Sequence, residues 1–385
     1  MNNAGDIIYL DNNATTPLDP RVLEAMMPFL TNQYGNASSN HRFGVDVNQK
    51  VKNARVELSE LINCDPNEIV FTSGATEAIN LAIKGVAEYY GGDRNHIVTV
   101  STEHPAVLDC CNYLEKKGFN VTYLSVDQNG LIDLEELEKS ISDKTILVST
   151  MLVNNETGVI QPVKEISRLA HAKGAIFMTD ATQAVGKMDI NVNDLGIDLM
   201  ALSAHKFYGP KGVGALYFRN KRPFRVKLVA SIHGGGHERA IRSGTLNVPG
   251  IIGLGKAAEL AKIEAEDDRI RISELLGFLE SELLSLSGSD LNGHLESRLY
   301  NVANIRFAGA DADAVIAGID NLAISNGSAC SSIKVEPSHV LTAMGLNEQE
   351  AYSSIRFSLG RMTTSDEVRR GVELITSQIN RLRTM

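Results

Sequence analysis

The sequence predicts an α/β protein: a large domain on a mostly parallel seven-stranded sheet, with a smaller α+β domain beside it. Three observations carry this. Seven short runs rich in β-branched residues fall at 68–72, 97–100, 121–126, 145–153, 175–179, 199–203 and 214–218. Most are separated by segments whose apolar residues recur at helical spacing, at 76–90, 105–117, 134–141 and 163–173. Such alternation implies crossover connections and a sheet covered on both faces, with ligands bound outside the carboxyl ends of its strands. Near residue 250 the pattern changes: a long helical stretch at 251–286 precedes a strand at 301–307, a helix, a strand at 322–325 and two C-terminal helices. The first 15 residues are too few to fold alone and are expected to pack on this second module, giving domains of 16–255 and of 1–15 with 256–385.

A chain of 385 residues suits about two domains, and 43% hydrophobic with 22% charged residues is ordinary for a folded globular protein. Acidic side chains outnumber basic ones 47 to 37, a net charge of −10. That disfavours nucleic acid or an anionic membrane as the main partner, because counterion release needs clustered Lys and Arg. No apolar run reaches the ~20 residues of a membrane span. The start MNNAGD lacks the basic and apolar regions of a signal peptide, so a cytoplasmic protein is expected. The four cysteines, Cys64, Cys110, Cys111 and Cys330, include no C-x-x-C pair, which disfavours structural zinc. A reducing compartment leaves them as thiols.

The strand ends hold the chemistry. The run EIVFT leads into Ser73-Gly74-Ala75-Thr76-Glu77 and a helix. Backbone N–H groups and the positive dipole end there make a phosphate cup; Ser73 and Glu77 equally suit an ordinary capping arrangement. No nucleotide P-loop is present, and Gly234-Gly235-Gly236 lacks the context of a dinucleotide fingerprint. The run IVTVSTE ends at His104, before Pro105. This histidine is either a satisfied structural residue or one that stacks on a planar cofactor or shuttles protons. The run 175–179 ends at Asp180, with Gln183 one turn on. Asp180 reads as a helix N-cap, or as the carboxylate that keeps the pyridinium nitrogen of pyridoxal phosphate protonated. The strand DLMALSA runs into Ser203-Ala204-His205-Lys206. Lys206 is either a surface lysine or a desolvated amine suited to a Schiff base. Each signal is weak alone, and together at successive strand ends of one sheet they are strong.

Cys330 lies in Ser325-Asn326-Gly327-Ser328-Ala329-Cys330-Ser331-Ser332, whose small polar residues predict an exposed loop and favour a reactive role over a buried one. Cys64 is expected at a helix end, and Cys110 and Cys111 in the packing of an amphipathic helix. Arg356, in Ser353-Ser354-Ile355-Arg356-Phe357-Ser358, has apolar neighbours on both sides and must be paired. The pairing is either an internal salt bridge or a bidentate clamp on a substrate carboxylate.

At these positions the sequence resembles the cysteine desulfurases of the NifS/IscS family, fold-type-I pyridoxal-phosphate enzymes. The resemblance runs from Tyr9-Leu10-Asp11-Asn12-Asn13-Ala14-Thr15-Thr16-Pro17 to Arg356-Phe357-Ser358-Leu359-Gly360-Arg361. It includes TSGATEAINLAIKG, TEHPAVL, NNETG, TDATQAVGK, SAHKFYGPKGVG, RSGTLNVPG and GSACSS. It implies the fold of that enzyme class, and pyridoxal 5'-phosphate as a cofactor held covalently by Lys206. It further implies that Asp180 pairs with the pyridine nitrogen, that Gln183 and Asn155 lie at the phenolic oxygen, and that His104 stacks on the ring. Phosphate is expected at Ala75 and Thr76, at Ser203 and His205, and at Thr245 from the second subunit of a homodimer. Arg356 and Asn155 are expected to hold the carboxylate of L-cysteine, and Cys330 to receive its sulfur as a persulfide. Lys206 and His104 are the other catalytic residues so implied. No resident metal is implied, only transient iron–sulfur ligation by Cys330.

The implied reaction converts L-cysteine to L-alanine and delivers the sulfur to an acceptor protein, for iron–sulfur cluster assembly, tRNA thiolation or DNA phosphorothioation. A selenocysteine lyase or another aminotransferase of the same fold is the alternative. The residues between Cys330 and Val335-Glu336-Pro337 resemble the long-loop class, in which the cysteine swings out to a protein acceptor. Two departures stand out. IscS-type members continue into a C-terminal tail that docks the iron–sulfur scaffold protein, whereas this sequence ends at Arg383-Thr384-Met385, which leaves the acceptor open. His237 stands where many relatives carry Gln, a change expected on the dimer side and outside the chemistry.

Overall fold

The computed structural model describes residues 7–221, 224–327 and 336–384. Strand β1 (Ile8–Tyr9) is followed by helices α1 (Pro20–Thr31) and α2 (Arg42–Leu61). Helix α1 starts where Asp19 accepts the Arg21 N–H at 2.9 Å and Pro20 fits the first turn. Neither helix stands out in the sequence pattern. In α2 a narrow buried stripe of Val47, Val51, Ala54 and Leu58 runs through a polar, valine-rich background.

A turn at Pro66–Glu68, closed by a reciprocal capping box between Asp65 and Glu68, opens the alternating part of the chain. There follow β2 (Ile69–Thr72), α3 (Ala75–Tyr90), β3 (His96–Val100), α4 (Pro105–Glu115), β4 (Asn120–Leu124) and α5 (Leu134–Ser140). Next come β5 (Thr145–Ser149), α6 (Val163–Ala172), β6 (Ile176–Asp180), β7 (Leu199–Ser203) and β8 (Gly214–Phe218). Strands β2 to β8 form one sheet in the order β2-β8-β7-β6-β5-β3-β4, the mostly parallel sheet that the sequence predicts. Strand β8 is antiparallel to β2 and β7, and the other pairs are parallel. Strands β4 and β5 stop short of the runs 121–126 and 145–153, because Val126 pairs with Ile132 and Val153 with Ile160 in local bridges. Alternate residues of the sheet feed separate cores: Met200 and Leu202 of β7 join one, Leu199 and Ala201 the other.

The outer edge of β2 is covered by side chains rather than left open to pairing. Phe71 N–H donates to Glu238 at 2.9 Å, Arg55 donates to the Ile69 carbonyl at 2.6 Å, and Arg55 pairs with Glu238 at 2.6 Å. Glu238, Arg239 and Ala240 reach that edge in the left-handed region, with φ of 46°, 58° and 63°. Such a run of non-glycine residues is strained, and the buried ion pair and edge contacts hold it in place.

Helix α7 (Val248–Leu284) spans 37 residues and serves two cores. Ile251, Leu254 and Ala258 pack with the large sheet, while Leu276, Leu279 and Leu283 pack in a third core. Gly255 lets α7 lie close on α2: a Cβ there would come within 2.5 Å of the Ala54 Cβ. The chain continues through β9 (Ser289–Asn292), β10 (Val302–Phe307), α8 (Ala312–Ala317), β11 (Leu322–Ala323), α9 (His339–Ala343), α10 (Glu348–Tyr352), β12 (Ser354–Ser358) and α11 (Ser365–Arg383). Strands β12, β10 and β9 form a small antiparallel sheet, and β1 pairs in parallel with β11. Ile8 and Leu10 enter the third core, next to Phe307 and Phe357. The chain then crosses to the large sheet: Asn12 N–H donates to Ser358 O at 3.0 Å, and Thr16 N–H to His205 O at 2.9 Å. Among the described residues no helix is long and apolar enough to cross a membrane.

Candidate active site

A cavity of about 600 Å³ opens at the carboxyl ends of the sheet strands, within the usual range for small-molecule sites of roughly 300–1,000 Å³. One wall is the start of α3. No side chain caps this helix at Gly74, and Ala75 and Thr76 line the cavity. Glu77 reaches back instead, accepting the Ser73 N–H at 2.8 Å and pairing with Arg242 at 2.7 Å. Burial opposes its charge, but the hydrogen bonds from Arg242 and Ser73 outweigh burial and keep its carboxyl below the usual range. The sequence left open a phosphate cup or a capped helix; no side chain caps Gly74, and Glu77 takes the Ser73 N–H instead. Gly214 allows the approach of this loop, because a Cβ there would lie 2.7 Å from the Gly74 Cα and 2.4 Å from the Leu202 carbonyl.

Opposite lies the turn after β7. Ser203 is buried, and His205 and Lys206 are half-buried at the cavity. The Lys206 ammonium donates to the carbonyls of Asn13 at 2.6 Å and Ala14 at 2.8 Å, so it points inward rather than to the surface. Burial pushes the His205 imidazole down to about 4, with the positive charges of Lys206, Lys211 and Lys187 adding to this. His205 is therefore neutral, and its Nδ1 shares a hydrogen bond with Thr15 Oγ1 at 3.0 Å.

Asp180, at the end of β6, is buried and accepts on Oδ1 from the Thr182 N–H at 2.9 Å and from its hydroxyl. Gln183 is buried one turn later and donates to the Asn13 carbonyl at 2.9 Å. His104 caps α4, its Nδ1 accepting the Ala106 N–H at 3.1 Å, and it also lines the cavity. Burial lowers its pKa, Asp180 opposes that, and Lys206 and His339 add to it. An Nδ1 that accepts a bond leaves the neutral ring with its proton on Nε2. His104 thus caps α4 and lines the cavity at once.

Behind it, Glu103 is fully buried, with Oε1 on the Met151 N–H and Oε2 without a partner. Burial, then the charge of Asp180, push its carboxyl up to about 8 from the ordinary 4.5. Folding therefore takes up a proton between those values, and stability falls as pH rises from about 4.5 to about 8, levelling off above. Glu103→Gln is expected to remove that slope, melting a few degrees above the parent protein beyond about pH 8 but not near pH 4.5. Equal slopes in the two proteins, followed by calorimetry, would reject the assignment.

Arg356, in β12, is buried and donates to the Asn155 carbonyl at 2.9 Å and to Asp11 at 2.7 Å. Both Arg356 and Asn155 line the cavity, so the internal salt bridge and the cavity wall are again the same residue. Thr245 is exposed and lines a separate cavity of about 130 Å³ with Ser73 and Arg242. Cys330 lies outside the described residues; Gly327, three positions before it, lines the main cavity. Cys64 follows the end of α2, and Cys110 and Cys111 are buried in α4. Burial pushes these three thiols up to about 12, 11 and 12, which suppresses the nucleophilic thiolate. No group of three His, Cys, Asp or Glu among the described residues is placed to hold a metal ion.

The residue that individual sequence motifs do not reveal is Asn13. Its carbonyl receives both Lys206 and Gln183, and its amide donates to the Asn155 carbonyl at 3.3 Å. Its N–H donates to Ser358 Oγ at 2.8 Å. The polar run Asp11-Asn12-Asn13 between Leu10 and Ala14 was the available signal, visible only as part of a longer motif.

The chain matches the class-V aminotransferase family over residues 8–370. It is 50% identical to the cysteine desulfurase IscS of Rickettsia bellii over 387 aligned residues, spanning 100% of this chain and 94% of that protein. Its fold superposes on a solved NifS-like protein with a TM-score of 0.90 at 38% identity, covering 98% of this chain and 100% of the other. A structure of SspA in complex with cysteine gives a TM-score of 0.81 at 39% identity, over 91% of this chain and 98% of that one. The chain belongs to the NifS/IscS family of cysteine desulfurases, within the class-V aminotransferases.

Proposed function

We propose that this chain is a pyridoxal-phosphate-dependent cysteine desulfurase that takes sulfur from L-cysteine, releases L-alanine and carries the sulfur on Cys330 to an acceptor protein. The observation that carries this reading is the inward-facing Lys206 amine in one cavity with Asp180, Gln183, His104 and the uncapped start of α3. These residues fit the cofactor. A helix start with no side-chain cap suits its phosphate, with Ala75, Thr76, Ser203 and His205 around it. A buried carboxylate, Asp180, suits a protonated pyridine nitrogen; Gln183 and Asn155 suit the phenolic oxygen, and the neutral His104 ring suits stacking. When bound, pyridoxal phosphate supplies an electron sink for the negative charge that develops at the substrate Cα.

The chain's own residues do the rest. Arg356, beside Asn155, receives the substrate carboxylate. Lys206 Nζ would act as the base that takes the Cα proton. The Cys330 thiolate attacks the substrate sulfur, the substrate C–S bond breaks, and a persulfide stays on Cys330. The three raised thiols support Cys330 by elimination.

A homodimer belongs to this reading, because Thr245 is exposed and does not line its own main cavity, which supports its reaching the phosphate site of a second copy. The division into domains of 16–255 and of 1–15 with 256–385 also belongs to it, with α7 crossing the boundary. Free thiols at Cys64, Cys110 and Cys111 agree with a cytoplasmic setting. The test is incubation of the cofactor-loaded protein with L-cysteine and an excess of a reducing thiol, which discharges the Cys330 persulfide as sulfide and is itself oxidised to its disulfide. Alanine and sulfide in equal amounts are expected; keto-acid-dependent amino transfer, or turnover of selenocysteine with none of cysteine, would overturn the reading.

A further inference from the structure

Behind Gln183 stands a second lysine, and no step of the proposed reaction uses it. Lys187 is 5% exposed, and no carboxylate among the described residues forms an ion pair with it. Its ammonium donates to Gln183 Oε1 at 3.0 Å and to Asn13 Oδ1 at 3.4 Å. Gln183 Nε2 donates to the Asn13 carbonyl, the same oxygen that receives Lys206. A buried ammonium without a carboxylate is costly, and an apolar residue would fill the space more cheaply.

We propose that Lys187 is a positioning residue for Lys206: it fixes the Gln183 amide and Asn13 from behind the cavity wall, and through them the place and reactivity of the Lys206 amine. The proposal rests on Lys206 being the cofactor-bearing residue. Two physical arguments support it. A lysine only donates, so Gln183 must turn its oxygen to Lys187 and its NH2 to Asn13. Without Lys187 that amide is free to flip, placing its oxygen against the Asn13 carbonyl and breaking the contact.

The second argument is charge. The groups facing Lys187 are cations or neutral: Lys206 and His205 from the turn after β7, and Arg356 from β12, itself balanced by Asp11 from the N-terminal segment. Burial, then Lys206 and Arg356, push the Lys187 amine down to about 7. The repulsion is mutual, so below about pH 7, while Lys187 is still charged, it favours the uncharged form of Lys206, the form that bonds a carbonyl carbon. Within the cavity Asp180 opposes this, and His104 is neutral.

The test compares Lys187→Met and Lys187→Gln with the parent protein, each checked for folding by circular dichroism. In the cofactor-free full chain, Lys206 is labelled with formaldehyde and borohydride across pH and quantified by peptide mass spectrometry. Below about pH 7, where Lys187 is charged, labelling of Lys206 is expected to fall several-fold in either variant, and well above that pH to match the parent protein. The Gln variant is read the same way if the Met variant fails to fold. Equal labelling below about pH 7 in the parent protein and a folded variant overturns the proposal. Uptake of pyridoxal phosphate is followed separately by visible absorbance: a parent protein that gains no colour refutes the reading of Lys206 as the cofactor residue, while the labelling still decides whether Lys187 acts on it.

Discussion

Lys206→Ala is expected to gain no colour from pyridoxal phosphate and to release neither alanine nor sulfide from L-cysteine, a loss in turnover of at least ~10⁴-fold. Both roles proposed for the residue sit on one atom, Nζ, so no neighbour replaces it. Lys187, the nearest other amine in the network, is held behind the wall by Gln183 and Asn13. The fold should survive. The turn Ala204–Lys206 is tied by main-chain bonds, Thr16 to His205 and Phe207 to Ala204, and the Asn13 carbonyl keeps Gln183 as a donor. Absorbance, amino-acid analysis and a thermal melt on one preparation therefore separate lost chemistry from lost structure. A coloured, active alanine variant would remove Lys206 from the reaction.

Cys330→Ser is expected to do the opposite: keep the colour and lose the sulfur. The residues proposed to hold the cofactor lie on the large sheet and its turns, away in sequence from position 330. A serine hydroxyl is not ionised near neutral pH and does not attack sulfur, so persulfide should be absent from the intact mass and turnover should fall by at least ~10³-fold. The other cysteines offer no rescue, since burial keeps their thiols protonated. Sulfur loaded on the variant, or passed by it to an acceptor, would reassign the nucleophile.

The large sheet was legible because parallel strands buried on both faces are written as apolar runs with helices between them. Its strand ends were legible for the same reason: a polar residue that interrupts such a run, as Asp180 and His104 do, marks where the chain leaves the sheet. Helix α2 was not, because its stripe of Val47, Val51, Ala54 and Leu58 is one residue wide and half of it is valine, which favours strands. Strands β9 and β12 were not, because SDLN and SIRFS carry more polar than apolar residues, their pattern set by neighbours distant in sequence. Lys187 escaped notice because a lysine near the end of a motif looks like a solvated one. Only the approach of Asn13, from 174 residues away, shows what it faces.

The crossing of residues 12–16 between β12 and the turn after β7 has a consequence for biosynthesis. Asn13 leaves the ribosome among the first residues, yet its N–H is held by Ser358, 345 positions later. At roughly 5–20 residues per second, tens of seconds of translation separate the two. The large sheet and its contacts to Asn13 through Gln183 and Asn155 can form in that interval, but the bond from the Asn13 N–H waits for the last strand. The seat of Lys206 is therefore complete only once the two ends of the chain have met.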